Sequence, residues 1–303
     1  MPRHTLDKLF SPTAIAVFGA SERPVALGTV AFRNLIRAGF AGPLLAINPK
    51  YDTVQDQRCY PDLASADGDV DLALIATPAS TVPDIIRQCG ERGVRHAIVL
   101  SAGFGEGDGQ GEVLGKHMLE QARAVNLRIL GPNCLGLLRP VAKLNASFSN
   151  NNALLGRLAL VSQSGALCTA ILDWAEKKQV GFSAVVSLGN AADLDFDELL
   201  DYLTLDAETH SILLYVEGIH RARGFMSALR VAARIKPVIV LKAGRHSQGG
   251  RAVQSHTGAL VGADDVFAAA LRRAGAVRVE TEVFPDPPDC RLGQSRPLRH
   301  GRP

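Results

Sequence analysis

His256 lies in GRHSQGGRAVQSHTGAL, residues 244–260, between an apolar run at 237–241 and a helical pattern at 264–274. An imidazole can attack phosphorus and carry the phosphoryl group as a covalent intermediate. Its neighbours Ser255, Thr257 and Gly258 are residues whose hydroxyls and backbone N–H groups can converge on an anion. Gly244, Gly249, Gly250 and Gly258 leave the backbone of the segment permissive. Glu217 closes another apolar run, in Tyr215-Val216-Glu217-Gly218. A carboxylate can hold one imidazole nitrogen while the other attacks, and it stabilises the charged product. For one of eight histidines the ordinary expectation is a surface loop residue. The remaining features move the reading toward chemistry.

Val161-Ser162-Gln163-Ser164-Gly165 ends an apolar run and opens a helical one. Ser162 stands where a GxSxG nucleophile elbow needs glycine, so a serine hydrolase does not fit. Hydroxyls at a helix N-terminus suit phosphate instead. Ser187-Leu188-Gly189-Asn190 ends the next run and could line the same site. The expected phosphate-binding residues are therefore Ser162, Gln163, Ser164, Gly165, Gly189, Asn190 and Gly258.

The first half carries a second set of strand ends. GASERPVALG places Gly19, Ala20, Ser21 and Gly28 at a strand-to-helix turn, where a pyrophosphate can meet backbone donors and a helix dipole. Its spacing is not GxGxxG. The next strand ends in Asn48-Pro49-Lys50, and lysine in place of an acid suits a ribose phosphate, as in NADP or coenzyme A. Thr77-Pro78 and Ser101-Ala102-Gly103 end two further strands. Taken singly each is no more than a tight turn; together on one sheet edge they favour a phosphate-rich ligand.

These positions require two α/β units. Strand patterns at 14–18, 43–47, 72–76, 96–100 and 128–130 alternate with helical ones, which implies parallel pairing through right-handed crossovers. We read 1–138 as a Rossmann-like domain and the polar stretch 139–156, with Asn150-Asn151-Asn152, as a linker. Strand patterns at 157–161, 184–188, 211–216, 237–241 and 276–279 make 157–280 a flavodoxin-like domain. Residues 281–303 have neither period nor core-forming pattern. With five prolines and four arginines in 285–303 they read as a disordered, atypical tail, at which the α/β rhythm is broken off by truncation or frameshift or natively ends.

Composition excludes several classes. A length of 303 residues suits two domains, and 47% hydrophobic with 21% charged residues is ordinary for a soluble protein. A net charge of +3 without a basic-aromatic run argues against nucleic acid. Cys59, Cys89, Cys134, Cys168 and Cys290 form no CxxC or metal spacing, so no metal is expected and reduced thiols fit a cytoplasmic protein. There is no signal peptide pattern and no apolar stretch of about 18 residues, so no membrane partner is expected.

In order, GASERPVALG, INPK, SAGFGE, GPNCLG, SQSGAL, the Glu217 strand end and SHTGAL resemble the nucleoside-diphosphate-forming (ADP-forming) acyl-CoA synthetases, and more distantly the α subunit of succinyl-CoA synthetase, over about residues 8–280. The resemblance implies CoA or acyl-CoA on the first domain, through Gly19, Ala20, Ser21, Lys50, Ser101 and their neighbours. It implies a phosphohistidine at His256 with Glu217 as partner. It also implies acyl-CoA and phosphate as reactants. ATP, ADP and Mg would enter only through an ATP-grasp subunit or domain, which this sequence lacks. The same assembly forms the N-terminal part of bacterial protein lysine acetyltransferases, some of which have replaced the histidine. An acyl-CoA-sensing portion of such an enzyme is therefore the alternative. The acyl group and the oligomeric state stay open.

Overall fold

Short apolar tetrads followed by amphipathic stretches set the first layer. The computed structural model describes residues 4–105, 109–243 and 264–279. In chain order these begin with α1 (Asp7–Phe10), β1 (Ile15–Phe18), α2 (Leu27–Ala38), β2 (Leu44–Ile47), β3 (Thr53–Val54) and β4 (Gln57–Tyr60). They continue with β5 (Leu72–Ile75), α3 (Val82–Glu91), β6 (His96–Val99), α4 (Gly109–Ala124) and β7 (Arg128–Leu130). The sheet order is β3-β4-β2-β1-β5-β6-β7. Every pairing in it is parallel except the β3–β4 hairpin. All four residues of β1, β5 and β6 are buried, as strands covered on both faces require. The order reverses between β1 and β5, the crevice where such sheets hold ligands.

The sequence reading passed over β3 and β4. β3 has only two residues and β4 buries only Cys59, so neither carries an apolar alternation to read. The hairpin turn is Gln55-Asp56, both at positive φ (48° and 61°). That conformation usually announces itself with Asn-Gly. Here tertiary bonds hold it: Gln55 N–H donates to Glu22 Oε1 at 2.6 Å, and Gln55 Nε2 donates to the Thr29 carbonyl at 3.0 Å.

The second layer runs β8 (Gly136–Arg139), β9 (Leu144–Ser147), β10 (Leu155–Ser162), α5 (Gly165–Lys178), β11 (Phe182–Ser187), α6 (Phe196–Leu205) and β12 (Ser211–Val216). It ends with α7 (Ala222–Ile235), β13 (Val238–Lys242), α8 (Asp264–Ala274) and β14 (Val277–Val279). Its order is β14-β13-β12-β10-β11-β8-β9. The five strands β14 to β11 are parallel in the 2-1-3-4-5 arrangement of flavodoxin-like folds.

The stretch 139–156, read as a linker, is not one throughout. β8 and β9 form an antiparallel hairpin that extends the second sheet beyond β11, with Leu137 opposite Val186. Asn and Ser gave this segment the composition of a loop. Those polar groups are satisfied inside: Ser147 Oγ donates to Asn145 Oδ1 at 2.6 Å, and Asn34 Nδ2 on α2 donates to the carbonyls of Ser147 (2.9 Å) and Ser149 (2.7 Å).

The two sheets share one apolar core, in which Leu6, Leu9, Phe10 and Leu35 join Leu137, Leu144, Leu199 and Tyr202. The Phe10 and Tyr202 rings stack at 4.1 Å. Arg128 on β7 pairs with Asp193 (3.0 Å) and Glu198 (2.7 Å) across the same seam. Arg139 meets Asp206 through two bonds of 3.1 and 2.8 Å, with both side chains almost wholly buried. Among the described residues no helix is long and apolar enough to cross a membrane.

Candidate functional site

The carboxyl ends of β2, β1 and β5 enclose a cavity of about 580 Å³. Of the strand-end residues expected there, Gly19, Ser21, Asn48, Lys50, Thr77 and Pro78 line it. Asn48 shapes the wall: its Nδ2 donates to the Ala20 carbonyl at 2.7 Å, and its Oδ1 accepts from Lys50 N–H at 3.1 Å. The Ser21 and Thr29 hydroxyls lie 2.8 Å apart and buried, tying the turn to α2.

Gly28 is not on the wall; a Cβ there would stand 2.1 Å from the Gly19 carbonyl oxygen. Its role is to let α2 start against the β1 turn. Ala20 is buried in the core, while Ala102 and Gly103 are exposed beyond β6. Ser101 is buried and links two regions: its hydroxyl donates to the Thr77 carbonyl at 2.5 Å, and its carbonyl accepts from Asn133 N–H at 2.9 Å.

Arg23, Tyr51, Thr81 and Gln88 also line this cavity, and the sequence reading did not select them. Arg23 follows Ser21 by two residues in the same Gly-rich turn, so a second cation beside Lys50 was visible there. Thr81 and Gln88 belong to helical turns whose facing only the packing of α3 decides.

A second cavity, about 380 Å³, opens at the ends of β10 and β11. Gln163, Ser164, Gly165, Gly189 and Asn190 line it, with Asn133, Cys134, Leu135, Phe148, Ala166 and Thr169. Ser164 caps α5 by accepting from Leu167 N–H at 3.3 Å, which leaves the Gly165 and Ala166 end of the helix facing the cavity. Ser162 is fully buried; its hydroxyl bonds within the turn, to the Ser164 carbonyl at 2.9 Å and from the Ser164 N–H at 3.0 Å. A Cβ at Gly189 would lie 2.3 Å from the Pro132 carbonyl oxygen, so glycine there admits the Gly131-Pro132-Asn133 turn of the first sheet. The Asn190 N–H donates to that same carbonyl at 2.9 Å.

Gln163 is directed elsewhere. Its Oε1 accepts from the N–H groups of Glu217 (2.7 Å) and Gly218 (3.1 Å), and its Nε2 donates to the Gly218 carbonyl at 2.9 Å. It spans the β10–β12 boundary, where the order of the second sheet reverses. Glu217 directly follows β12, and burial and then its carboxylate raise the pKa of the Tyr215 hydroxyl above its usual range. His256 and Gly258 lie outside the described residues. The ends of the segment carrying them leave from β13, beside β12, and enter α8. Among the described residues no group of three or more His, Cys, Asp or Glu could hold a metal ion.

Comparison with known proteins gives both halves a match. Residues 13–140 fit the family model of a CoA binding domain, and residues 155–283 that of a succinyl-CoA ligase like flavodoxin domain. The chain is 40% identical over 281 residues to the acetate–CoA ligase [ADP-forming] I subunit alpha of Pyrococcus furiosus, covering 91% of this chain and 61% of that one. It is 41% identical to the acetate–CoA ligase [ADP-forming] I of Archaeoglobus fulgidus, covering 92% of this chain and 41% of that one. The solved dinucleotide-forming acetyl-coenzyme A synthetase 1 of Ca. Korarchaeum cryptofilum, in complex with phosphate and ADP, superposes with a TM-score of 0.87 at 39% identity, over 91% of this chain and 60% of that one. The chain thus spans between two fifths and three fifths of the length of these relatives.

Proposed function

The chain belongs to the ADP-forming acyl-CoA synthetase family, and on that premise we propose that it is the CoA-binding and phosphohistidine-carrying part of an acid–thiol ligase that interconverts acyl-CoA, phosphate and ADP with acid, CoA and ATP. CoA lies along the first sheet, its phosphates at the β1 turn and beside Lys50. Phosphate sits at the N-terminus of α5 and attacks the thioester carbonyl. The C–S bond breaks, giving an acyl phosphate and free CoA. His256 takes the phosphoryl group and releases the acid. The phosphohistidine then passes its phosphoryl to ADP on an ATP-grasp subunit or domain supplied by the rest of the assembly, with Mg bound there. The protein acts in the cytoplasm.

The observation that carries this reading is the Gln163 bridge. It fastens the turn that opens the phosphate-facing helix to the strand end bearing Glu217. Glu217 then orients the imidazole, and its charge stabilises the phosphorylated ring. The hydrogen-bonded path Thr77–Ser101–Asn133 supports the rest, since it joins the walls of the two cavities.

The test is labelling. With acetyl-CoA and radioactive phosphate the chain should acquire an acid-labile, base-stable phosphoryl group. His256→Asn should abolish it and leave CoA affinity unchanged; Glu217→Gln should slow it. Label that persists on the His256→Asn protein overturns the assignment. A wild-type chain that binds CoA and takes no label points to the acetyltransferase-type sensing module instead.

A further inference from the structure

We infer that Phe148 is the residue that limits acyl-chain length, by taking up space on the apolar wall of the 380 Å³ cavity; the inference rests on the proposed acyl-CoA chemistry of that cavity.

The cavity wall is of two kinds. Ser164, Gly165 and Asn190 supply polar groups; Cys134, Leu135 and Phe148 supply apolar surface, with Leu135 Cβ 3.4 Å from where a Cβ on Gly165 would stand. None of its described lining residues is charged. An acyl carbon chain therefore lies against the Leu135–Phe148 surface, next to the phosphate at the helix N-terminus. A second carboxylate on the acyl group would be desolvated there with no cation among the described lining residues to meet it. The Cys134 thiol is no competing acyl acceptor. Burial pushes it up to about 12, and its Sγ–H is directed to the Val99 carbonyl at 3.3 Å.

Space then decides which chains fit. About 380 Å³ is near the lower limit for a ligand site, and it must take phosphate as well as the thioester end. Phe148 is the largest apolar side chain on the wall. It is held from two sides: its N–H donates to the Leu135 carbonyl at 3.2 Å, and its ring packs against both the core shared by the two sheets and the cluster under α5. A wall fixed in this way cannot yield to a longer chain without disturbing both clusters.

The experiment is calorimetric titration of the whole chain with CoA, acetyl-CoA and hexanoyl-CoA in phosphate. The wild type should bind hexanoyl-CoA about tenfold or more weakly than acetyl-CoA. Phe148→Leu should narrow the ratio, and Phe148→Ala should bring it within about twofold or reverse it. Phe148→Trp should widen it and begin to exclude propanoyl-CoA. Unchanged affinity for CoA itself shows in each case that the variant is folded. A merely structural role for Phe148 would weaken all acyl-CoAs together and leave the ratio alone; that result, or a wild type indifferent to chain length, overturns the inference. A wild type that binds neither CoA nor acetyl-CoA defeats the functional reading itself.

Discussion

The Gln163 carboxamide oxygen accepts the Glu217 backbone N–H at 2.7 Å, so a residue at the end of β10 holds the end of β12 in place. Gln163→Leu removes that bond and two more, leaving buried backbone groups of Gly218 without their partner. Each such group costs about 1–3 kcal/mol. We expect a loss of at least about 2 kcal/mol in denaturant unfolding, CoA affinity unchanged, and phosphohistidine formation slowed about tenfold or more as Glu217 loses its position. Full-rate labelling in a destabilised Gln163→Leu protein would reduce Gln163 to a strut.

Lys50 stands on the wall of the larger cavity with its backbone N–H fixed by Asn48. If its ammonium meets the 3′-phosphate of CoA, Lys50→Ala should weaken CoA by roughly 1.5–3 kcal/mol and dephospho-CoA hardly at all. Isothermal titration with both ligands separates the cases. Equal losses would move the 3′-phosphate elsewhere, with Arg23 on the same wall the next cation to replace.

Burial alone would raise the Asp206 carboxyl, but the hydrogen bonds from Arg139 and Thr209 and the guanidinium charge outweigh it and hold the group below the ordinary aspartate range. A carboxylate with a lowered folded pKa contributes stability above its unfolded value, near 3.9, and loses it as pH falls through the folded value. Asp206→Asn leaves Arg139 buried without its counter-charge and should cost about 3 kcal/mol at pH 7. The gap between wild type and variant should shrink below about pH 4. Urea midpoints from pH 7 to pH 3 check this; a gap that stays constant to pH 3 would show that the ion pair does not titrate with folding.

Much was written in the sequence because it follows from local repetition. Apolar tetrads between amphipathic stretches announced two parallel sheets, and the strand ends Gly19–Ser21, Asn48–Lys50 and Ser162–Gly165 marked their carboxyl edges. A parallel strand buried on both faces must be apolar throughout, and its connection must return by a helix, so both signals are carried by neighbouring residues. The motif order from GASERPVALG to SHTGAL also carried the family.

What only the tertiary structure decided depends on partners distant in the chain. The β3–β4 turn uses Gln55-Asp56 because Glu22 and Thr29 hold it, not because the residues favour it. Residues 139–156 read as a linker because Asn and Ser look solvated; Asn34, more than a hundred positions earlier, binds the carbonyls of Ser147 and Ser149 and helps hold β9 at the sheet edge. Gln163 looked like a phosphate ligand by its place in a strand-end turn, and its amide is bound instead to the backbone after β12. Phe148 had no periodicity to mark it, and it lines a cavity because that hairpin brings it beside Leu135. Spacing along a chain reports which residues can share a strand or a helix face. Which side chain meets which backbone group is set by the packing of one sheet on the other, and no local pattern encodes it.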